Sequence, residues 1–547
     1  MGKDIELLSN IKKIVLEELG SLVSLENVIS VCFYGFFGKM EGEREFNVLA
    51  VVENQKRKML NYVKVADDLK ISFLIAERTA FEMDVKQGSL GEFLSDIMLT
   101  SYHPVLNGEY LEFMEIEVKK RVLKNILENL VIEHPEYCHE LLIKPEYFIY
   151  EIASRKVRLF PFSKQSYIEF LEEVLERNML SDVVKNYVKV LKELEKEKIV
   201  LSFNGFFKLT NDFIEKIKST KNFPFEKIRR TFLNNILNVF PKTTNWLGLE
   251  DLALTKYFEI PENYLFIPTP IGPVPLSERA NIEEFLKKVV SNVEVSEIKT
   301  KQIGGILNSV YLLQIKLNDK CEKRIIVKRF RDWVGLKWFP ITLWTLGTKS
   351  FAVLGKTRLE KEYSINHYLR KHGFNVPKIL YISPKEHLLF QEYIEGKPIS
   401  ETIKEIVSSR KAPEKEKLDL IEKVGKEIAK IHVLNVSLGD CKPENILVTK
   451  QKKIYFVDLE QSSRGGDKAW DLAEFLYYSG HYLPAILPST NMAIITEVFI
   501  KGYLEAGGQK KAVRAVASPR YTKVFSIFTA PHVIFTISKI CRKLGEN

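Results

Sequence analysis

Short apolar runs bounded by turns alternate along this chain with stretches that repeat apolar residues at helical spacing. Residues 31–34 and 45–52 predict two strands around a turn bearing Gly35 and Gly38. Residues 165–217 predict helices, interrupted by two apolar runs on either side of Asn204-Gly205. Asn-Gly in that setting is a strong hairpin signal. Farther on, residues 325–330 predict a buried strand that carries Lys328, residues 359–369 a helix, and residues 388–396 a strand ending in a glycine. Residues 446–448 and 454–457 predict two short buried strands joined by a turn. The most apolar stretch, residues 524–537, predicts a buried helix.

Five prolines crowd residues 261–275, a density that blocks helices and sheet ladders and predicts an extended linker. With 547 residues the chain is too long for one core. The expected organisation is an α+β multidomain protein with domains at 1–160, 161–245 and 291–547 and the linker at 246–290.

The chemistry concentrates in Leu438-Gly439-Asp440-Cys441-Lys442-Pro443-Glu444-Asn445, followed after a strand by Asp458. Phosphoryl transfer needs such groups. Asp440 can accept a hydroxyl proton, Lys442 can neutralise charge on the moving phosphoryl, and Asn445 and Asp458 can hold magnesium. Upstream, Gly304-Gly305 with Asn308 lies between two strand candidates, where free backbone amides can cradle an anion.

The D-x-K-P-x-N spacing with a second Asp resembles the protein-kinase catalytic loop and its metal-binding turn. Lys328 resembles the strand lysine that grips the α/β-phosphates, and its acidic partner on the following helix is Glu362 or Glu360, with Glu362 preferred. Residues 388–396 resemble the hinge, whose backbone at Glu392 to Ile394 would meet adenine. Gly304, Gly305 and Asn308 are more similar to the aminoglycoside and choline kinase branch, as is Asp467 with Asp471, where the second Asp buttresses the catalytic loop. The lysine, the acidic helix and the Val376-Pro377 segment resemble atypical kinases of the RIO and KEOPS types. The resemblance spans about residues 290–547 and implies a bilobal kinase-like half that uses ATP and Mg2+. Leu438-Gly439 stand where His-Arg is usual, Leu459-Glu460 where Phe-Gly is usual, and no long activation segment fits before Asp467. Control by loop phosphorylation is therefore not expected.

Residues 27–53 resemble the minimal nucleotidyltransferase pattern, in which a glycine-serine turn precedes two metal-binding aspartates. Here Phe36 replaces the serine, Glu45 and Asn47 stand at the aspartate positions, and Ser72 at a third carboxylate position. One carboxylate cannot offset two metals and a triphosphate, so a degenerate, inactive α/β domain is expected. The order helix, helix, hairpin, helix over 165–217 is that of a winged helix, which can touch DNA, RNA or protein. Lys227, Arg229 and Arg230 follow it. Residues 333–347 hold three of the five tryptophans, Trp333, Trp338 and Trp344, an aromatic load that must be covered by something.

The charge of +10 permits nucleic-acid contact without requiring it. Five scattered cysteines argue against zinc and a disulfide framework and for a reducing compartment. A charged start without an apolar leader, and the lack of a long uncharged apolar run, imply a cytoplasmic protein without a membrane span. The expected function is transfer from ATP to protein serine or threonine hydroxyls. A small-molecule kinase and a nucleic-acid-associated ATPase are the alternatives.

Overall fold

The computed structural model describes residues 2–35, 39–40, 43–66, 69–159, 164–220, 259–290, 295–304, 308–317, 321–332, 351–409, 411–484 and 487–546. The chain divides into two units, residues 1–266 and 267–547. Each combines helices with sheet, as an α+β multidomain protein should.

In the first unit α1 (Gly2–Leu22) is followed by β1 (Val28–Tyr34), β2 (Lys39–Met40), β3 (Glu43–Val52), β4 (Met59–Ala66), β5 (Leu69–Glu77), α2 (Arg78–Gln87), β6 (Tyr102–Leu106) and α3 (Gly108–Glu133). The strands lie in the order β4-β5-β3-β1-β6, with β3 and β5 parallel. Alternate residues of the central strands, among them Val31, Phe33, Val48, Ala50, Ile71 and Phe73, share a core with Ile11, Val15 and Leu19 of α1. Period two on the strands and spacing of four on the helix place these side chains on facing surfaces. Glu45 is held by Lys70 at 2.9 Å, and Asn47 stands opposite Ser72 on the parallel neighbour. Phe36 and Gly38 lie outside the described residues.

The unit continues with β7 (Leu142–Ile143), α4 (Glu146–Leu159), α5 (Lys164–Glu176), α6 (Leu180–Lys196), β8 (Val200–Phe203), β9 (Phe206–Leu209) and α7 (Asn211–Lys218). Asn204 and Gly205 take φ of 48° and 80°, the tight turn that Asn-Gly favours. Phe207 of β9 pairs with Ile143, which also pairs with Leu265 of β10 (Leu265–Thr269), so the hairpin is part of a larger sheet. Lys227, Arg229 and Arg230 lie outside the described residues.

Residues 261–290 are not the extended linker that their prolines suggest. β10 and β11 (Gly272–Pro275) are strands, and α8 (Ile282–Val290) follows them. Pro273 and Pro275 are accommodated because β11 is an edge strand, where a missing N–H costs no ladder bond. α8 starts at a reciprocal cap in which Asn281 and Glu284 exchange two hydrogen bonds of 2.9 Å. Its Phe285 is fully buried and stacks on Phe390 at 3.9 Å between ring centroids.

The second unit's main sheet comprises β12 (Val295–Gly304), β13 (Asn308–Leu317), β14 (Cys321–Phe330), β15 (Ile379–Ser383) and β16 (Leu388–Glu392). Their order is β12-β13-β14-β16-β15, antiparallel throughout. α9 (Gly355–Lys371) connects β14 to β15, while the tryptophan-rich residues 333–347 lie outside the described residues. After β16 come β17 (Lys397–Pro398), α10 (Ile399–Ser408), α11 (Lys415–Val433), β18 (Val436–Ser437), β19 (Ile446–Val448), β20 (Ile454–Phe456) and β21 (Ser463–Arg464). The end is helical: α12 (Lys468–His481), α13 (Thr490–Glu505), α14 (Lys510–Val516), α15 (Pro519–Phe525) and α16 (Pro531–Glu546). One apolar core joins α9 through α16 with β18, β19 and β20. The stretch 524–537 is not one buried helix, because Pro531 opens a new one. Val524, Phe525, Val533 and Ile537 are buried, whereas Ile527 and Phe535 are 64% and 68% exposed. Among the described residues no helix is long and apolar enough to cross a membrane.

α11 and α13 cross at two glycines. A Cβ on Gly425 would fall 2.3 Å from the Phe499 carbonyl oxygen, and one on Gly502 2.3 Å from that of Glu422. Backbone atoms cannot swing aside as a side-chain tip can. Gly425→Val and Gly502→Val should therefore each destabilise the chain by about 1–3 kcal/mol through overpacking. Urea unfolding of the full chain measures this, and an unchanged midpoint in both variants would contradict the close crossing.

Candidate functional site

A cleft of about 580 Å³ opens in the second unit between the main sheet and the loops around β19 and β20. Ile303 and Val310 border it from β12 and β13, Lys328 from β14, and Gln391 to Ile394 from the end of β16. Asp440, Lys442, Asn445 and Asp458 border it from the loops. Sequence reasoning named most of these residues, and the fold brings them to one cavity.

On the sheet side, Lys328 is nearly buried, and its Nζ lies 2.9 Å from Glu362 and 3.1 Å from Asp458. Burial alone would favour the neutral amine, but the Asp458 and Glu362 carboxylates outweigh it and raise the lysine's pKa. Burial pushes the Glu362 pKa up against the pull of Lys328, whereas for Asp458 the charges of Lys328 and Lys442 prevail over burial and lower it. Of the two acidic candidates on α9, Glu362 meets the lysine, while Glu360 lies 3.9 Å from Lys356. Asp458 has φ of 63°, a left-handed conformation that costs energy for a non-glycine residue and turns the chain sharply after β20.

Gly304 ends β12 and Asn308 begins β13, while Gly305 lies outside the described residues. Glu392 is tied to Lys378 by its N–H, which donates to the Lys378 carbonyl, and by its Oε1, which accepts from the Lys378 N–H at 2.7 Å. Ile394 borders the cleft.

On the loop side, Asp440 Oδ2 accepts from Lys442 Nζ at 2.9 Å and from Asn445 Nδ2 at 3.0 Å. Burial opposes the charge on Lys442, but Asp440 prevails and raises its pKa. Gly439 takes φ of 75°, which lets the chain turn into the loop without side-chain strain. The loop is fastened from below by α12. Asp471 accepts backbone N–H groups of Leu438 and Gly439 at 2.6 and 2.7 Å and also meets His432 Nε2 at 2.9 Å. Asp467 accepts from the N–H groups of Ala469 and Trp470 as the cap of α12.

Sequence reasoning missed two supports. Glu474, one turn past Asp471, accepts from the Cys441 N–H at 2.7 Å and from Trp470 Nε1 at 3.0 Å. Arg358, fully buried on α9, donates to Glu460 at 2.6 Å and to the Arg331 carbonyl at 3.0 Å. It thereby joins the end of the Lys328 strand, the Glu362 helix and the turn after Asp458. Burial and the neighbouring Asp458 charge push the Glu460 pKa up to about 7, against the pull of Arg358.

This arrangement suits a polyanion accompanied by a hard cation. Two lysines border the cleft, and Asn445 and Asp458 offer oxygen donors there. Magnesium is commonly held by one or two carboxylates together with phosphate oxygens, so this donor set fits it. Among the described residues, no group of three or more His, Cys, Asp or Glu forms a self-contained metal centre.

Residues 316–476 match the lipopolysaccharide kinase (Kdo/WaaP) family. The KEOPS complex subunit Bud32 of Pyrococcus abyssi is 30% identical over 161 residues, covering 29% of this chain and 68% of that protein. The 3-deoxy-D-manno-octulosonic acid kinase of Vibrio cholerae is 27% identical over 107 residues, 19% of this chain and 45% of that enzyme. The chain thus spans less than half the length of the second relative.

The Arg358–Glu460 pair makes its own prediction. Removing one member of a buried ion pair strands the other, at a cost of about 3–5 kcal/mol, whereas an apolar pair of similar volume avoids that cost. Arg358→Met should destabilise the chain strongly, and Arg358→Met with Glu460→Met should recover most of the loss in chemical denaturation. A double variant no more stable than the single one would contradict the pairing.

Proposed function

Since this chain belongs to the kinase-like superfamily, among the atypical kinases related to Bud32, we propose that it transfers the γ-phosphoryl group of ATP to a serine or threonine hydroxyl of a protein. The observation that carries the reading is the meeting, in one cleft, of the Lys328–Glu362–Asp458 cluster with Asp440, Lys442 and Asn445. On this reading β12 to β16 with α9 form the small lobe of a bilobal kinase fold, and residues from α10 onward form the large one.

Lys328 holds the α- and β-phosphates, its ammonium kept charged and aimed by Glu362. The backbone at Glu392 to Ile394 meets adenine, and the turn at Gly304, Gly305 and Asn308 covers the phosphates. Asn445 and Asp458 would hold magnesium, which would supply positive charge to offset that of the phosphates. Asp440 orients the acceptor hydroxyl and accepts its proton as the oxygen attacks phosphorus and the bond to the leaving ADP breaks. Its Oδ2 is engaged by Lys442 and Asn445, which leaves Oδ1 for the hydroxyl. Lys442 neutralises charge on the transferring group.

A sugar or other small hydroxyl acceptor is the second reading. It is favoured by the Kdo/WaaP match and by the short passage from Asp458 to α12, which holds only a turn and the two-residue strand β21. In the first unit, we read the sheet as a nucleotidyltransferase-like domain without transferase chemistry, since Glu45 is taken up by Lys70 and Asn47 and Ser72 carry no charge.

The test is incubation with γ-labelled ATP and a cell extract, followed by separation of labelled protein from labelled small molecules. Label on protein supports the first reading and label on a metabolite the second. ATP that is neither consumed nor transferred would overturn both. Asp440→Ala should lower transfer by about 10²–10⁴-fold while nucleotide binding persists. Turnover equal to wild type would remove Asp440 from the reaction.

A further inference from the structure

The last helices of the chain segregate charge. Between Glu505 and Glu546 there is no Asp or Glu, while eight Lys and Arg fall in the same interval of a chain whose net charge is +10. Even spread would have interleaved both signs, as α11 does with Lys415, Glu416, Lys417 and Asp419.

The fold gathers part of this charge. On α16 the exposed residues His532, Phe535, Lys539, Arg542 and Lys543 recur three and four apart, so they share one face, which the exposed Glu546 closes at its C-terminal end with a single negative charge. The opposite face, with Val533, Ile537, Ile540 and Cys541, is buried. α14 lies beside the end of α16: a Cβ on Gly545 would sit 2.8 Å from the Arg514 backbone nitrogen, and Arg542 donates to the Ala517 carbonyl at 3.4 Å. Exposed Arg514 therefore stands next to the basic end of that face. Among the described residues Arg514, Lys523, Lys539, Arg542 and Lys543 are in no ion pair.

Two large apolar side chains are exposed in the same segment, Phe535 on the basic face and Ile527 in the turn before α16. Nothing in the buried core requires them outside: their neighbours Phe525, Val533 and Ile537 are all buried.

We infer that this C-terminal segment docks on an anionic lipid surface, with the basic face of α16 against the headgroups and Phe535 and Ile527 inserted among the acyl chains. Basic side chains beside exposed apolar ones, on a helix not long and apolar enough to span a bilayer, are the pattern of interfacial attachment. Each Lys or Arg near an anionic leaflet adds attraction, and apolar insertion adds a contribution that salt does not screen. Nucleic acid would use the same positive charge, but an isoleucine has no π-face on which a base could stack. The aliphatic exposure favours lipid. This inference is independent of the acceptor that the cleft serves.

Flotation of the full chain with phosphatidylcholine vesicles, and with vesicles of equal phosphatidylcholine and phosphatidylglycerol, tests it. Binding is expected to the anionic vesicles alone. Lys539→Gln and Lys543→Gln should each weaken it about fivefold, and Phe535→Ser about tenfold or more. These side chains are exposed, so the thermal midpoint of each variant should match wild type. A single-stranded RNA oligonucleotide is titrated in parallel. Failure to bind anionic vesicles, equal binding to neutral ones, or vesicle binding indifferent to Phe535→Ser would overturn the inference. RNA binding without vesicle binding would assign the face to nucleic acid instead.

Discussion

A lysine ammonium inside a protein must be met by negative charge, and the second unit is organised around that requirement at Lys328. Left alone, the buried amine would lose its proton. Glu362 and Asp458 keep it charged, and they come from elements far apart in sequence, a helix and a turn. Satisfying one cation therefore fixes the sheet, α9 and the Asp458 turn relative to one another. Arg358 repeats the arrangement one layer away, tying α9 to the same turn through Glu460 and to the end of β14 through the Arg331 carbonyl.

The second wall of the cleft depends on a different device. The loop of residues 438–445 is short and irregular, and its backbone N–H groups need acceptors. Asp471 and Glu474, one turn apart on α12, supply them to Leu438, Gly439 and Cys441. α12 is itself packed into the helical core through Leu472, Phe475 and Leu476. The position of Asp440 is thus inherited from a rigid helix. That is what a group needs if it must meet an incoming hydroxyl within hydrogen-bond distance.

The candidate residues of the loop wall were legible as a group because their spacing is set by local geometry: a tight loop, a short strand and a turn keep Asp440, Lys442, Asn445 and Asp458 at fixed intervals. The choice between Glu360 and Glu362 was not, since both are buried on α9 and only the fold decides which meets Lys328. The Arg358–Glu460 pair spans 102 residues and leaves no local trace. The proline-rich stretch misled because proline density says nothing about where an edge strand is available. The capping pair Asn281 and Glu284 is a local signal for α8 that the reading of residues 246–290 as a linker left unused. In residues 524–537, overall hydropathy concealed a break at Pro531 and two apolar residues turned outward. The sheet of the first unit was legible in part from the apolar runs of β1 and β3 on either side of a glycine turn, whereas the parallel pairing of β3 with β5 is a matter of topology.

Charge balance gives the sharpest test. Lys328 and Lys442 line the cleft with Asp440, Asp458 and Glu460, while Glu362 and Arg358 pair with them from behind, so a polyphosphate would enter a site that already holds its share of negative charge. A divalent cation at Asp458 should then be a condition of tight binding. Calorimetric titration of ATP into the full chain, with and without magnesium, measures this in wild type and Asp458→Asn. The expected result is affinity about tenfold or more higher with magnesium in wild type, and loss of that difference in Asp458→Asn. Equal affinity with and without magnesium in wild type, or an undiminished magnesium effect in the variant, would contradict the assignment of this cleft to a metal-bound nucleotide.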